Sequence, residues 1–158
     1  MHLTITVAIS AHHSADQLAD AATETLAPYL TEVEPDQRPP AGRIEGWVLL
    51  GRRIPAWGTD PASYPERQRA LQHFPTWQRD AVDSAPPRQG ALARLAHIDR
   101  TTLHSTTAYI DLDGSWHDSG RLDWTTPGRA PRHWPPTYSD WVNTLPDQTW
   151  LLLVDAHR

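Results

Sequence analysis

Trp150-Leu151-Leu152-Leu153-Val154 is a nearly continuous apolar run in a chain of 158 residues whose mean hydropathy is −0.58. A strand with one face in water alternates apolar and polar residues, so five apolar residues in succession predict a central strand covered on both faces. That requirement constrains the fold more than any other stretch of the sequence. The remaining segments must supply its cover.

Leu3-Thr4-Ile5-Thr6-Val7-Ala8-Ile9 alternates and is rich in β-branched residues, which reads as a first strand. Ser14-Ala15-Asp16-Gln17 is a capping box, and Leu18, Ala22, Leu26, Tyr29 and Leu30 mark one face of a helix running to about Val33. Pro35, Pro39 and Pro40 end it. Ile44 to Leu50 reads as a second strand, and Thr106 to Asp111 as a third. Asp113-Gly114 then turns a hairpin within Tyr109–Trp124, because glycine accepts the positive φ of a tight turn. Thr137 to Leu145 suits a helix with Tyr138, Trp141, Val142 and Leu145 on one face, before the final strand. Residues 52–104 form a Pro-rich insertion, with short helices expected near Glu66–Phe74 and Leu92–His97.

Strand, helix, strand, insertion, strand, helix, strand describes a single-domain α+β chain over 1–158. The expected arrangement is a ferredoxin-like sandwich with an extra hairpin and both helices on one face of an antiparallel sheet. In such a sheet the first and third strands are central and the last is an edge beside the first.

Composition removes several chemistries. There is no cysteine, hence no disulfide, thiolate zinc site or thiol nucleophile. All 14 basic residues are arginine, which removes Schiff-base and P-loop lysines. A formal charge of −5 argues against nonspecific duplex nucleic acid as a partner. No apolar run approaches the ~20 residues that span a bilayer. The N-terminal stretch lacks the pattern of a signal peptide, so a cytoplasmic location is expected.

Asp113-Gly114-Ser115-Trp116-His117 with Trp124 resembles the hairpin of a family of small uncharacterised proteins from actinobacteria and their phages. Members of that family carry an Asp-Gly-x-Trp-His hairpin, a Gly-Gly-Arg-Trp element and a C-terminal Val-Asp-x-His strand. Leu145 to His157, ending Val154-Asp155-Ala156-His157, is similar to the family's last strand. Trp47-Val48-Leu49-Leu50-Gly51-Arg52-Arg53 resembles the Gly-Gly-Arg-Trp element with Arg52 for the second glycine and Ile54 for the tryptophan. The resemblance covers about half the chain and implies a fold and a phage or mobile-element source, not a reaction.

Two functional readings follow. Eight tryptophans among arginines, with Trp47, Arg52, Arg53, Trp57, Trp116 and Trp124 as candidates, have the composition of a protein-recognition surface. This favours a noncatalytic binding or accessory protein, of the kind used in host takeover or anti-defence. Such tryptophans are more often large core and rim fillers. The alternative is a small metal-dependent hydrolase or phosphoesterase. Asp111, His117, Asp155 and His157 are its candidate catalytic groups and would hold a divalent metal if they converged. Asp113 is accounted for by the turn. His12-His13 precedes a helix N-terminus, where backbone amides attract anions, although a solvated loop is the commoner explanation of such a pair. His104-Ser105-Thr106 resembles the His-x-Thr element of two-histidine phosphoesterases, for which Ala11-His12-His13-Ser14 would be a distorted partner. No cofactor is implied beyond that metal, and oligomeric state is left open by the sequence.

Overall fold

A computed structural model of the chain describes residues 2–32, 42–49, 56–79, 88–120 and 131–157. The final apolar run lies in an eight-residue strand, β8 (Trp150–His157), whose first seven residues are buried. It is flanked along its whole length by β1 (His2–Ile9), antiparallel, from His2↔His157 to Ile9↔Trp150. On its other side lie β2 (Gly46–Leu49), beside residues 154–157, and β5 (Leu92–Arg94), beside residues 150–152. β6 (Ala108–Ile110) runs parallel to β1, and β7 (Trp116–Asp118) closes the order β2-β8-β1-β6-β7. The α+β class therefore holds.

β8 lies beside β1 and β1 beside β6 in the order expected of a ferredoxin-like sheet, but β1 and β6 run parallel where that sheet would be antiparallel, and other features depart from it as well. The sheet is mixed, and β8 is interior because β2 and β5 both dock on its far side. The physical reason is that a strand apolar on both faces gains most by being covered and paired on both sides.

The helices do not share one face. Residues paired across strands point the same way, so Leu3, Ile5, Val7, Trp47, Ile110, Trp116 and Val154 share one side of the sheet. On that side Tyr29, just past α1 (Leu18–Leu26), packs on Trp116 with ring centroids 5.2 Å apart. Phe74, just past α2 (Tyr64–Leu71), meets Trp47 edge to face, and α3 (Thr76–Arg79) follows beside β2. Thr6, Tyr109, Leu153 and Asp155 point the other way, where α4 (Trp134–Thr144) covers Thr6 and Tyr109. The molecule has three layers, helix on sheet on helix.

Local signals explain each element. The capping box at Ser14 forms, with the Ser14 amide donating to Gln17 Oε1 at 3.0 Å, and opens a 3₁₀ turn leading into α1. Pro28 closes α1 in a second 3₁₀ turn at Ala27–Tyr29, short of Val33. Asp16 accepts a bidentate pair from Arg69 of α2 at 2.7 and 2.6 Å, which holds its carboxyl below the usual aspartate range. The Asp-Gly turn joins β6 and β7, with Gly114 at φ +82°.

The insertion is more ordered than its prolines imply. α2 lies where a helix was expected; of the second expected helix, Leu95–His97 forms a 3₁₀ turn, but Leu92–Arg94 is a strand. Leu92 pairs with Leu152, Ala93 with Leu151 and Arg94 with Trp150, a tertiary constraint that overrides weak local preference. β3 (Trp57–Gly58) and β4 (Gln89–Gly90) form a small second ladder nearby. Among the described residues no helix is long and apolar enough to cross a membrane.

Leu152 is fully buried at the junction of β1, β8 and β5. Leu152→Ala is expected to cost ~2–5 kcal/mol in chemical denaturation with an unchanged m-value.

Candidate functional site

The four Asp and His residues picked out by sequence lie on one side of the sheet, yet they do not form one group. Asp111 follows β6, one residue past the Ile110–Val7 pair, whereas Asp155 sits opposite Thr4 on the far side of β1. That is about four residues along and two strands across, on the order of 15 Å. His117 is opposite Tyr109, and so three strands from Asp155. Thr6, Tyr109 and Leu153, all buried, lie between the two ends. Among the described residues no three His, Asp or Glu side chains are grouped so as to hold a metal ion. The convergence that a metal site on Asp111, His117, Asp155 and His157 would need is not found, because strand order separates β7 from β8.

Each of these groups has a local partner. Asp111 Oδ1 accepts from Trp141 Nε1 at 3.0 Å and from the Leu112 amide at 2.7 Å, pinning the end of β6 to α4. Asp113 accepts from the Ser115 amide at 2.8 Å, which lowers its carboxyl, with the nearby His117 adding a smaller effect. It is a turn residue. His117 stacks on Tyr109 with centroids 4.7 Å apart, and Tyr109 stacks in turn on Trp141 at 3.9 Å. The buried carboxylate of Asp155 meets His2 Nδ1 at 2.9 Å, and His157 Nδ1 meets Glu45 Oε2 at 2.7 Å.

The two-histidine phosphoesterase element is not assembled either. β1 and β6 are parallel with Ile5 level with Ala108, so His104 lies beyond the His2 end of β1 and His12 beyond its Ile9 end. An eight-residue strand spans roughly 25 Å. Thr106 is buried, its hydroxyl within 3.0 Å of Thr6 and 2.7 Å of the Ala108 carbonyl. His13 contributes its carbonyl to Trp150 Nε1 at 2.9 Å, which makes the His12-His13 turn part of the frame around β8.

Tryptophan proves to be chiefly core. Trp47 and Trp57 are 6% and 2% exposed, so neither offers the surface expected of it. Trp134, Trp141 and Trp150 are buried as well. The cause is the side of the strand or helix on which each stands, inward on β2, β3, β8 and α4, which spacing in the sequence does not specify. Trp116 is half-buried, its Nε1 donating to Asp118 Oδ2 at 3.0 Å. Arg52, Arg53 and Trp124 lie outside the described residues. The side chain that sequence reading passed over is Trp77, 63% exposed on α3 while its neighbour Gln78 is buried. Pro75 before it was a signal that a new turn of helix begins there, but nothing local said which side of that turn meets water. A cleft of about 620 Å³ runs between Asp118–Gly120 and Pro131–His133, at the two ends of a stretch outside the described residues.

The Tyr138 hydroxyl bonds Thr6 Oγ1 at 2.8 Å beneath α4, and burial pushes its ionisation up to about 12. Below pH 10 both folded and unfolded chains keep this proton. Between 10 and 12 the unfolded chain loses it first, so stability falls as pH rises through that window. Tyr138→Phe is expected to cost ~1 kcal/mol at neutral pH and to remove this alkaline component, as read by denaturation at pH 7 and above pH 10.

Compared with protein-family models, with curated proteins and with solved structures, the chain finds no match.

Proposed function

We propose that this protein is a noncatalytic binding or accessory protein that contacts a protein partner through an exposed aromatic anchor. The observation that carries the reading is Trp77. Its ring is mostly exposed, and tryptophan is among the side chains most enriched where binding energy concentrates. The dispersal of Asp111, His117, Asp155 and His157, each already engaged, supports a binding role over the hydrolase alternative. Trp116 at the hairpin offers a second, partly exposed ring.

The phage or mobile-element part of the reading, with a role in host takeover or anti-defence inside the cytoplasm, draws support from the resemblance of the hairpin and the last strand. We read the β8–β1–β6 centre as a ferredoxin-like core elaborated by β2 and β5 on one side and β7 on the other.

The test is affinity purification of the full chain from host cells, beside Trp77→Ala. A partner recovered in stoichiometric amount with the wild type should bind the variant at least tenfold more weakly, a loss of ~2 kcal/mol or more being typical of an anchor. The variant's melting temperature should stay unchanged, because the ring is exposed. Equal binding by the variant would remove Trp77 from the interface.

A further inference from the structure

Asp113-Gly114 is the only Asp-Gly pair in the chain, and it lies at the tip of the hairpin that joins β6 to β7. Such a pair is chemically reactive. No side chain obstructs a glycine amide, so its nitrogen can attack the carboxyl carbon of the preceding aspartate. The amide proton and a carboxyl oxygen leave as water, and a five-membered imide closes. Water then adds to one of the two imide carbonyls. Opening one way restores aspartate; opening the other way runs the main chain through the side-chain carboxyl, giving isoaspartate. The net change is an isomerisation that needs only water.

The folded turn opposes the first step. The Gly114 amide, which must give up its proton to attack, donates it to the Asp111 carbonyl at 2.9 Å. The Asp113 carboxylate accepts from the Ser115 amide at 2.8 Å, and this bond lowers its carboxyl, with His117 adding to the effect. Less of the protonated acid, the form that loses water readily, is then present at any pH. The tip is also tied down from outside, because the Tyr29 hydroxyl donates to the Gly114 carbonyl. Gly114 has φ +82°, as in a three-residue loop that ends in a left-handed residue. Closing the imide requires rotation about the Asp113 backbone, which these bonds together resist. Once they open, nothing else stands in the way: Asp113 is exposed, and a side chain at Gly114 would meet nothing within 4 Å.

We propose that Asp113-Gly114 is a conformationally gated isoaspartate site, held off by the closed hairpin and entered each time the hairpin opens. The proposal stands apart from the binding reading and needs no partner. Isoaspartate adds a methylene to the main chain between Asp111 and Ser115, whose amide and carbonyl pair at 3.0 Å and set the register of β6 with β7. Trp116 then loses its place against Tyr29, and His117 its stack on Tyr109.

Ageing the full chain at neutral pH, folded or in urea, tests this, with isoaspartate at residue 113 read by peptide mapping and by isoaspartyl methyltransferase labelling. The unfolded chain should accumulate the product, and the folded chain should do so at least about tenfold more slowly, because reaction waits on local opening. Tyr29→Phe, which removes the outside tie, should raise the folded rate and leave the unfolded rate unchanged. In the wild type, sub-denaturing urea should raise the folded rate in step with amide exchange at Gly114 and Ser115, a reading that needs no variant to fold. Equal rates in folded and unfolded chains, or a folded rate indifferent to both Tyr29→Phe and urea, would overturn the gating. Absence of the product at 113 in the unfolded chain would overturn the site.

Discussion

Pairing of β8 with three other strands is the interaction on which the rest of the structure depends. β1 runs its full length on one side, and β2 and β5 divide the other. Every residue from Trp150 to Ala156 is buried as a result. Apolar burial is worth roughly 25 cal/mol per Å², so a strand buried on both faces and paired on both edges concentrates much of the fold's stabilisation in one segment. It also explains why the insertion is ordered. β5 must lie where β8 needs an edge partner, and Arg94, its last residue, stacks its guanidinium 4.4 Å over the Trp150 ring while bonding Glu66 of α2 at 2.9 Å.

The α4 layer shows how the same sheet is specified on its other face. Thr6, Thr106 and Tyr138 place three hydroxyls in the core, within 2.8 and 3.0 Å of one another, so none is left unsatisfied. Trp134 Nε1 donates to the Thr106 carbonyl at 2.6 Å, and Trp141 Nε1 to Asp111. Polar atoms on large aromatic rings thereby fix where α4 sits along β6 and β1. Asp111 is thus a positional group. Its chemistry is spent on holding a helix.

Much of the local structure was legible. The capping box at Ser14, the Asp-Gly turn and the alternation in Leu3–Ile9 each act within a few residues, so sequence alone suffices to read them. The side chains of Trp116 and His117 point to opposite faces as period two requires, one to Tyr29 and the other to Tyr109. What escaped was pairing. Leu92–Arg94 reads as helix by itself and is strand only because β8 is beside it. The candidate site failed for the same reason, since Asp111 and Asp155 both follow apolar strand residues yet belong to strands separated by β1.

The amino-acid sequence by itself determined the α+β class, the turn positions, the need for a central strand at Trp150–Val154 and the chemistries removed by lacking cysteine and lysine. Periodicity and composition carry that information, because they act on neighbours in the chain. Only the tertiary structure decided that β8 is interior, that Trp47 and Trp57 are core while Trp77 faces water, and that His2 meets His157. A period of two tells a residue which face it joins, but which strand lies next to it is settled by the packing of the whole sheet.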